Sequence, residues 1–177
     1  MNAGRLNNRL EILAALGNQF GETALGFVWV DIRLTSSGGE QAGLRSPAQT
    51  EMQARPAPGL TSGQFLRRGD QLWVIDAVID DRRKCRIMAT ELVGETATYV
   101  PAVGDSYAVR VFIALNAPYV DSSGVGSYRH RMDLAKVELA AQPVKGDTIQ
   151  ARSTTWSVTG MADGGDDGAV ITLLVRK

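Results

Sequence analysis

A turn-and-strand phrase occurs twice in this chain. Arg68-Gly69-Asp70-Gln71-Leu72-Trp73-Val74-Ile75 stands in the middle, and Lys145-Gly146-Asp147-Thr148-Ile149, followed by Trp156-Ser157-Val158, stands near the end. Gly accepts positive φ and Asp hydrogen-bonds its own backbone two residues on, so each Gly-Asp suits a tight turn. After each come an apolar strand, a second turn rich in acidic residues and Gly, and a closing strand. The closing strands are Cys85-Arg86-Ile87-Met88-Ala89-Thr90 and Ala169-Val170-Ile171-Thr172-Leu173-Leu174-Val175. Asp70 and Asp147 lie 77 positions apart. The recurrence predicts an all-β chain of two related domains, 1–94 and 95–177, divided around Val93-Gly94-Glu95. Gly-Asp dipeptides also recur by chance in strand-rich chains, and that is the competing account.

A length of 177 residues fits one ordinary domain or two small ones, and 44% hydrophobic residues can supply their cores. Lys and Arg number 19, as do Asp and Glu, for a formal net charge of +0. Binders of duplex DNA draw most of their affinity from phosphate neutralisation, so strong binding to free DNA is not expected. No apolar stretch approaches the ~20 residues that span a bilayer, and Met1-Asn2-Ala3-Gly4-Arg5 lacks the apolar core of a secretory signal. The expectation is a protein without membrane segments that is assembled in the cytoplasm. The single cysteine, Cys85, excludes an intramolecular disulfide and a multi-thiolate zinc site. Its strand context points to a small core or half-buried residue.

Along the chain, residues 6–14 alternate as a half-buried strand does, although Leu6, Leu10 and Leu13 also fit helical spacing. Phe27-Val28-Trp29-Val30-Asp31-Ile32-Arg33-Leu34 is rich in β-branched and aromatic residues and predicts a strand. Residues 36–63 are polar and interrupted by Pro47, Pro56 and Pro58. A connection of that length in a compact domain suggests a protruding arm, within which residues 50–55 alternate weakly enough for an edge strand. Residues 71–79 and 84–92 form a predicted hairpin around Asp80-Asp81-Arg82-Arg83. In the second half, residues 106–113 read as a strand, 121–127 as a Gly/Ser-rich loop, 128–139 as an irregular strand, and 155–160 with 169–176 as a final hairpin. Trp29, Trp73 and Trp156 all lie in apolar strand patterns, which predicts burial for each.

The residues that could carry chemistry are few. The 163–168 run, Asp163-Gly164-Gly165-Asp166-Asp167-Gly168, has the oxygen donors of a calcium loop but lacks the alternating ligands and terminal Glu of an EF-hand, and a hairpin turn accounts for it. His130 is the one histidine. No Gly-x-Ser-x-Gly, P-loop, dinucleotide fingerprint or zinc spacing accompanies it. Arg45, Arg55, Arg67 and Arg68 are the candidate DNA-proximal cations, because a ring of copies would multiply them around a channel. No catalytic residue, cofactor or metal ligand is expected.

In the first half, Gly4-Arg5-Leu6-Asn7-Asn8-Arg9-Leu10-Glu11-Ile12, Gly26-Phe27-Val28-Trp29-Val30, Glu40, residues 50–55, Gly69-Asp70-Gln71-Leu72-Trp73-Val74-Ile75 and Cys85-Arg86-Ile87-Met88-Ala89-Thr90-Glu91 follow one another in an ordered pattern. That pattern resembles the head-tail joining, or head-closure (stopper), proteins of tailed bacteriophages. The second half, through Gly104-Asp105, Gly146-Asp147-Thr148-Ile149 and Trp156-Ser157-Val158, is similar to the lambda-type head-tail attachment domain, over a shorter match. The resemblance implies small β-barrels assembled as a six- or twelve-fold homo-oligomeric ring in the virion neck. The implied partners are a portal or adaptor protein, a tail completion or tail tube protein, and packaged double-stranded DNA, with the 36–63 segment reaching into the channel. The residues leave two other classes open. One is a small-barrel nucleic-acid-binding module. The other is a metal-dependent hydrolase using the 163–167 carboxylates.

Overall fold

The computed structural model describes residues 6–14, 20–34, 39–56, 59–81, 84–120, 123–124 and 126–177. Gly4-Arg5 of the family pattern, residues 36–38 and 57–58 of the expected arm, Arg82-Arg83 of the first hairpin turn and residues 121, 122 and 125 of the Gly/Ser loop lie outside the described residues. The described residues are all-β apart from one 3₁₀ turn at Lys136–Glu138. Two compact units are present, one formed by Glu22–Leu92 with the strand that precedes it, the other by Val93–Lys177 together with Phe20 and Gly21.

The first unit holds β1 (Asn8–Ala14), β2 (Thr23–Leu34), β3 (Arg45–Ala54), β4 (Phe65–Arg68), β5 (Gln71–Asp81) and β6 (Lys84–Leu92). They pair in the order β1-β2-β3-β6-β5-β4, and β4 pairs back onto β1 to close a barrel. The second unit holds β7 (Glu95–Val100), β8 (Tyr107–Val120), β9 (Gly126–Ala135), β10 (Thr148–Ala151), β11 (Thr154–Asp166) and β12 (Val170–Arg176). Their order is β7-β8-β9-β12-β11-β10, again closed, by β10 on β7. The two topologies are the same. Inward positions follow the period-2 alternation of each strand. Leu10, Val30, Met52, Leu66, Trp73 and Ile87 fill the first core, and Val111, Met132, Leu134, Ile149, Trp156 and Ile171 fill the second.

The repeat is finer than shared topology, and its period differs from that of the Gly-Asp dipeptides. An offset of 83 places Gly63 on Gly146 and Trp73 on Trp156. Gly63 N–H donates to Ile75 O and Ile75 N–H to Gln64 O, both at 2.8 Å. Gly146 N–H donates to Val158 O at 3.0 Å, and Val158 N–H to Asp147 O at 2.8 Å. Gln64 Oε1 accepts from Thr61 N–H, as Asp147 Oδ2 accepts from Val144 N–H. Both units break register at the same place, between Ile75 and Ala77 and between Val158 and Gly160. The two-residue hairpin turns are Gly69-Asp70 in one copy and Arg152-Ser153 in the other, where both residues take positive φ. Gly69-Asp70 and Gly146-Asp147 therefore occupy different turns: one joins β4 to β5 and the other leads into β10. A second repeat, offset by 81, runs along β2 and β8, where Val28, Val30 and Ile32 match Val109, Val111 and Ile113.

The expected arm over 36–63 requires correction. Residues 45–54 are β3, paired with β2 on one side and β6 on the other, with Thr50, Met52 and Ala54 buried. Leu44 and Leu60, just outside it, are buried too. Pro47 is tolerated because the β3–β6 register is interrupted between Arg45 and Gln49, where no ladder N–H is required.

Asp147 is the buried carboxylate of the second barrel. Burial pushes its pKa up, but hydrogen bonds from the Tyr99 hydroxyl and from Val144 N–H and Ala102 N–H, each amide at 2.8 Å, outweigh that and hold it below the ordinary aspartate value. Tyr99 is correspondingly held neutral, by burial first and by Asp147 second. A depressed folded pKa stabilises the barrel above the unfolded aspartate value of about 3.9, and the contribution is lost as pH falls through the folded value. Asp147→Asn should lower stability at neutral pH by about 1.5–3 kcal/mol, the range for hydrogen bonds to a charged group. Urea melts across a pH series should show the gap from wild type narrowing below pH ~4. A gap that stays constant into acid would mean the charge contributes nothing.

Candidate interaction surface on the first barrel

β2 has two unlike faces. Val28 and Val30 point into the core, while Phe27 and Trp29 point outward and are 55% and 53% exposed. Leu25 extends the stripe. It is the extra residue of a bulge, since Ile12 pairs with Gly26 and Leu13 with Ala24. Gly26 accommodates the bulge with a φ of 138°, which side chains other than glycine rarely adopt. The expectation that all three tryptophans are buried is thus corrected: it holds for Trp73 and Trp156 and fails for Trp29.

Cations border this stripe. Arg9 stands opposite Trp29 in the β1–β2 register, and its guanidinium lies 3.8 Å from the centre of the Phe27 ring. Arg55 follows β3 directly, is exposed, and makes no ion pair with any described residue. Leu6, Phe27, Trp29, Arg55 and Pro56 line a shallow groove of about 460 Å³. Aromatic and arginine side chains around an apolar centre are the composition of protein-binding hot spots.

The second barrel serves as an internal comparison. At the positions matching Phe27 and Trp29 it carries Ala108 and Arg110, and Arg110 is tied to Glu138 through both its backbone N–H and its guanidinium. An outward apolar stripe on this strand is therefore no requirement of the fold.

The four candidate arginines are not brought together. Arg67 is bound by Glu11 at 2.7 Å and by Glu22, and Arg68 by Asn8 and by Gln71 at 2.9 Å. Arg45 pairs with Asp76 at 3.6 Å. Only Arg55 of the four lines the groove. Arg9, Phe27 and Trp29 escaped sequence reasoning, yet a signal existed: Trp29 shares strand parity with Asp31 and Arg33, which a closed core does not admit unpaired.

The remaining reactive groups serve the fold. His130 Nδ1 accepts the Asn116 N–H at 3.2 Å, and its ring meets Trp156 edge-on at 5.4 Å. Burial pushes the Cys85 thiol pKa up, away from thiolate reactivity. In the 163–168 turn, Asp166 binds the buried Lys136 and Gly168 N–H, and Asp167 binds the amides of Ala169 and Val170. Among the described residues no group of three His, Cys, Asp or Glu side chains could hold a metal ion, and no helix is long and apolar enough to cross a membrane. Comparison with protein-family models, curated proteins and solved structures finds no match to this chain.

Proposed function

We propose that the chain is a structural protein of a tailed-phage neck, a ring that sits below the portal or adaptor, closes the DNA-filled head and offers the tail its docking surface. The sequence resemblance supplies the context, and one observation carries the reading: a closed barrel with Leu25, Phe27 and Trp29 left uncovered along one strand, where its sister barrel has Ala108 and Arg110 at the positions matching Phe27 and Trp29. Such a stripe suits assembly rather than catalysis, and the 36–63 segment no longer needs a gating role. Particles made without this protein should package DNA and then lose it, and tails should accumulate unattached. Electron microscopy of such particles, with a nuclease-protection assay of head DNA, tests this. Tailed, DNA-retaining particles would refute it.

Exposure of Trp29 beside Arg9 and Arg55 favours a second reading, a module that stacks single-stranded nucleic acid. Against it stand the net charge of +0 and the aliphatic Leu6, Leu25 and Pro56 in the same patch. A gel shift with steep salt dependence would support the module, and the ring reading expects none.

A further inference from the structure

The strand that carries the stripe is paired unevenly. β1 pairs with β2 from Thr23 to Val30, β3 pairs with it from Val30 to Leu34, and only Val30 has a strand partner on both sides. Residues 23–29 therefore leave one edge without a strand beside it among the described residues. β3 ends at Ala54, and Arg55 and Pro56, which come next, line the groove along that edge. Pro56 has no N–H with which to continue a ladder.

The sister barrel shows which groups face such an edge. Thr96 stands opposite Arg110 as Arg9 stands opposite Trp29, and β9 joins β8 only from Val111 onward, as β3 joins β2 from Val30. There the Arg110 N–H turns away from β7 and donates to the Glu138 carboxylate at 2.8 Å, which also holds the Arg110 guanidinium at 3.3 Å. The 3₁₀ turn thus caps the edge of the second barrel from within the chain. The same register sends the Trp29 N–H, and the Phe27 N–H two positions back, toward the open side of β2. Among the described residues nothing caps either amide there. The sequence after β3, Arg55-Pro56-Ala57-Pro58-Gly59-Leu60, contains no carboxylate that could.

We propose that the open edge of β2 at residues 27–29 is a docking site for an extended, acidic polypeptide segment of another protein, which adds to it as a strand. Open edges take up extended segments through main-chain hydrogen bonds, and the side chains alongside supply selectivity. Here the main chain of Phe27 and Trp29 offers the hydrogen bonds, and their rings with Leu6 and Pro56 offer apolar contact. The exposed Arg9 and Arg55 select for carboxylates. The acids alongside do not compete for them: Glu11, opposite Phe27, is held by Arg67, and Asp31, two positions beyond Trp29, by Arg33. In the second barrel a single carboxylate satisfies an edge N–H and an arginine together, and an acidic segment supplies both needs here. The site stands on strand register and does not depend on the neck reading.

The test uses the full chain, a synthetic ten-residue peptide of alternating valine and glutamate, and hydrogen exchange resolved by NMR. In the dilute free protein the amides of Phe27 and Trp29 should exchange fast, while that of Val28, which faces β1, stays protected. Peptide at about a hundred times its Kd should slow Phe27 and Trp29 about a hundredfold, because exchange then waits for release. A version N-methylated throughout keeps the side chains but has no donors, and should have no effect. Lysine in place of glutamate, or Arg55→Glu in the protein, should weaken binding at least about tenfold. Arg55→Glu should keep the wild-type melting temperature, since that side chain is exposed. Phe27 and Trp29 amides as protected as Val28 in the free chain would overturn the proposal, as would a peptide that leaves them unchanged or an N-methylated peptide that binds like its parent. Protection that rises with protein concentration alone would make a second copy the occupant and overturn it too, and so would an oligonucleotide that slows these amides where the peptide does not. Failure of this site is distinct from failure of the neck reading. Particles that keep DNA and tails without the protein refute the neck whatever the peptide does, and slow Phe27 and Trp29 amides in the free chain refute the open edge whatever the particles do.

Discussion

A chain lacking residues 46–62 is expected to lose the first barrel altogether while the second stays folded. The deletion removes nearly all of β3, which bridges β2 and β6, and takes Thr50, Met52, Ala54 and Leu60 out of the interior. β2 and β6 would then each expose an unpaired edge, and the barrel could no longer close. Hydrogen exchange should show protection lost across 22–92 and kept across 93–177. Were the segment an arm, the same deletion would leave protection intact in both units, so the experiment also judges the corrected reading of 36–63.

Trp73→Ala and Trp156→Ala should each destabilise their own barrel by about 3–5 kcal/mol, as truncation of a large buried aromatic does. Both indoles are nearly inaccessible, at 2% and 3% exposure. A unit of this size has a total stability of roughly 4–13 kcal/mol at the usual value per residue, so either change removes a large share of it. Denaturant melts read by hydrogen exchange should show one early and one unchanged transition in each variant, with the early one exchanged between variants. Equal shifts of both units in either variant would show that the barrels unfold as one body and not as two.

Strands whose inward positions are large and branched were legible in the sequence. β5 and β6 carry Trp73, Ile75, Ile87 and Cys85 inward, and their hairpin falls where alternation places it. β3 was hidden for a physical reason. Its inward residues are Thr50, Met52 and Ala54, small or weakly apolar, and Pro47 stands at its irregular start, so it carries the composition of a loop while hydrogen-bonded on both sides. The repeat was recognised from the wrong token. Gly and Asp serve many kinds of turn, and here Gly69-Asp70 and Gly146-Asp147 fill two different ones; Trp73 and Trp156 fill one equivalent core position and give the true offset. The candidate surface was half visible. Arg55 stood out by charge, but Trp29 was assigned to the core by residue type, where parity with Asp31 and Arg33 argued for the outside.

Two copies of one topology in a single chain create a hazard during synthesis. Each strand of one barrel has a vacant slot of the right direction and register waiting in the other, and strand exchange between neighbours is a characteristic failure of repeated domains. Divergence at the positions that alternate with the shared tryptophan is what discriminates. If β11 entered the place of β5, Trp156 would fit where Trp73 packs, but Thr155 and Ser157 would replace Leu72 and Val74, which are 1% and 2% exposed. Two hydroxyls would be buried in place of two aliphatic side chains, and a misthreaded chain would be driven back toward the correct pairing. The buried Leu72 and Val74 positions of β5 thus act as an address that keeps each nascent barrel to its own strands.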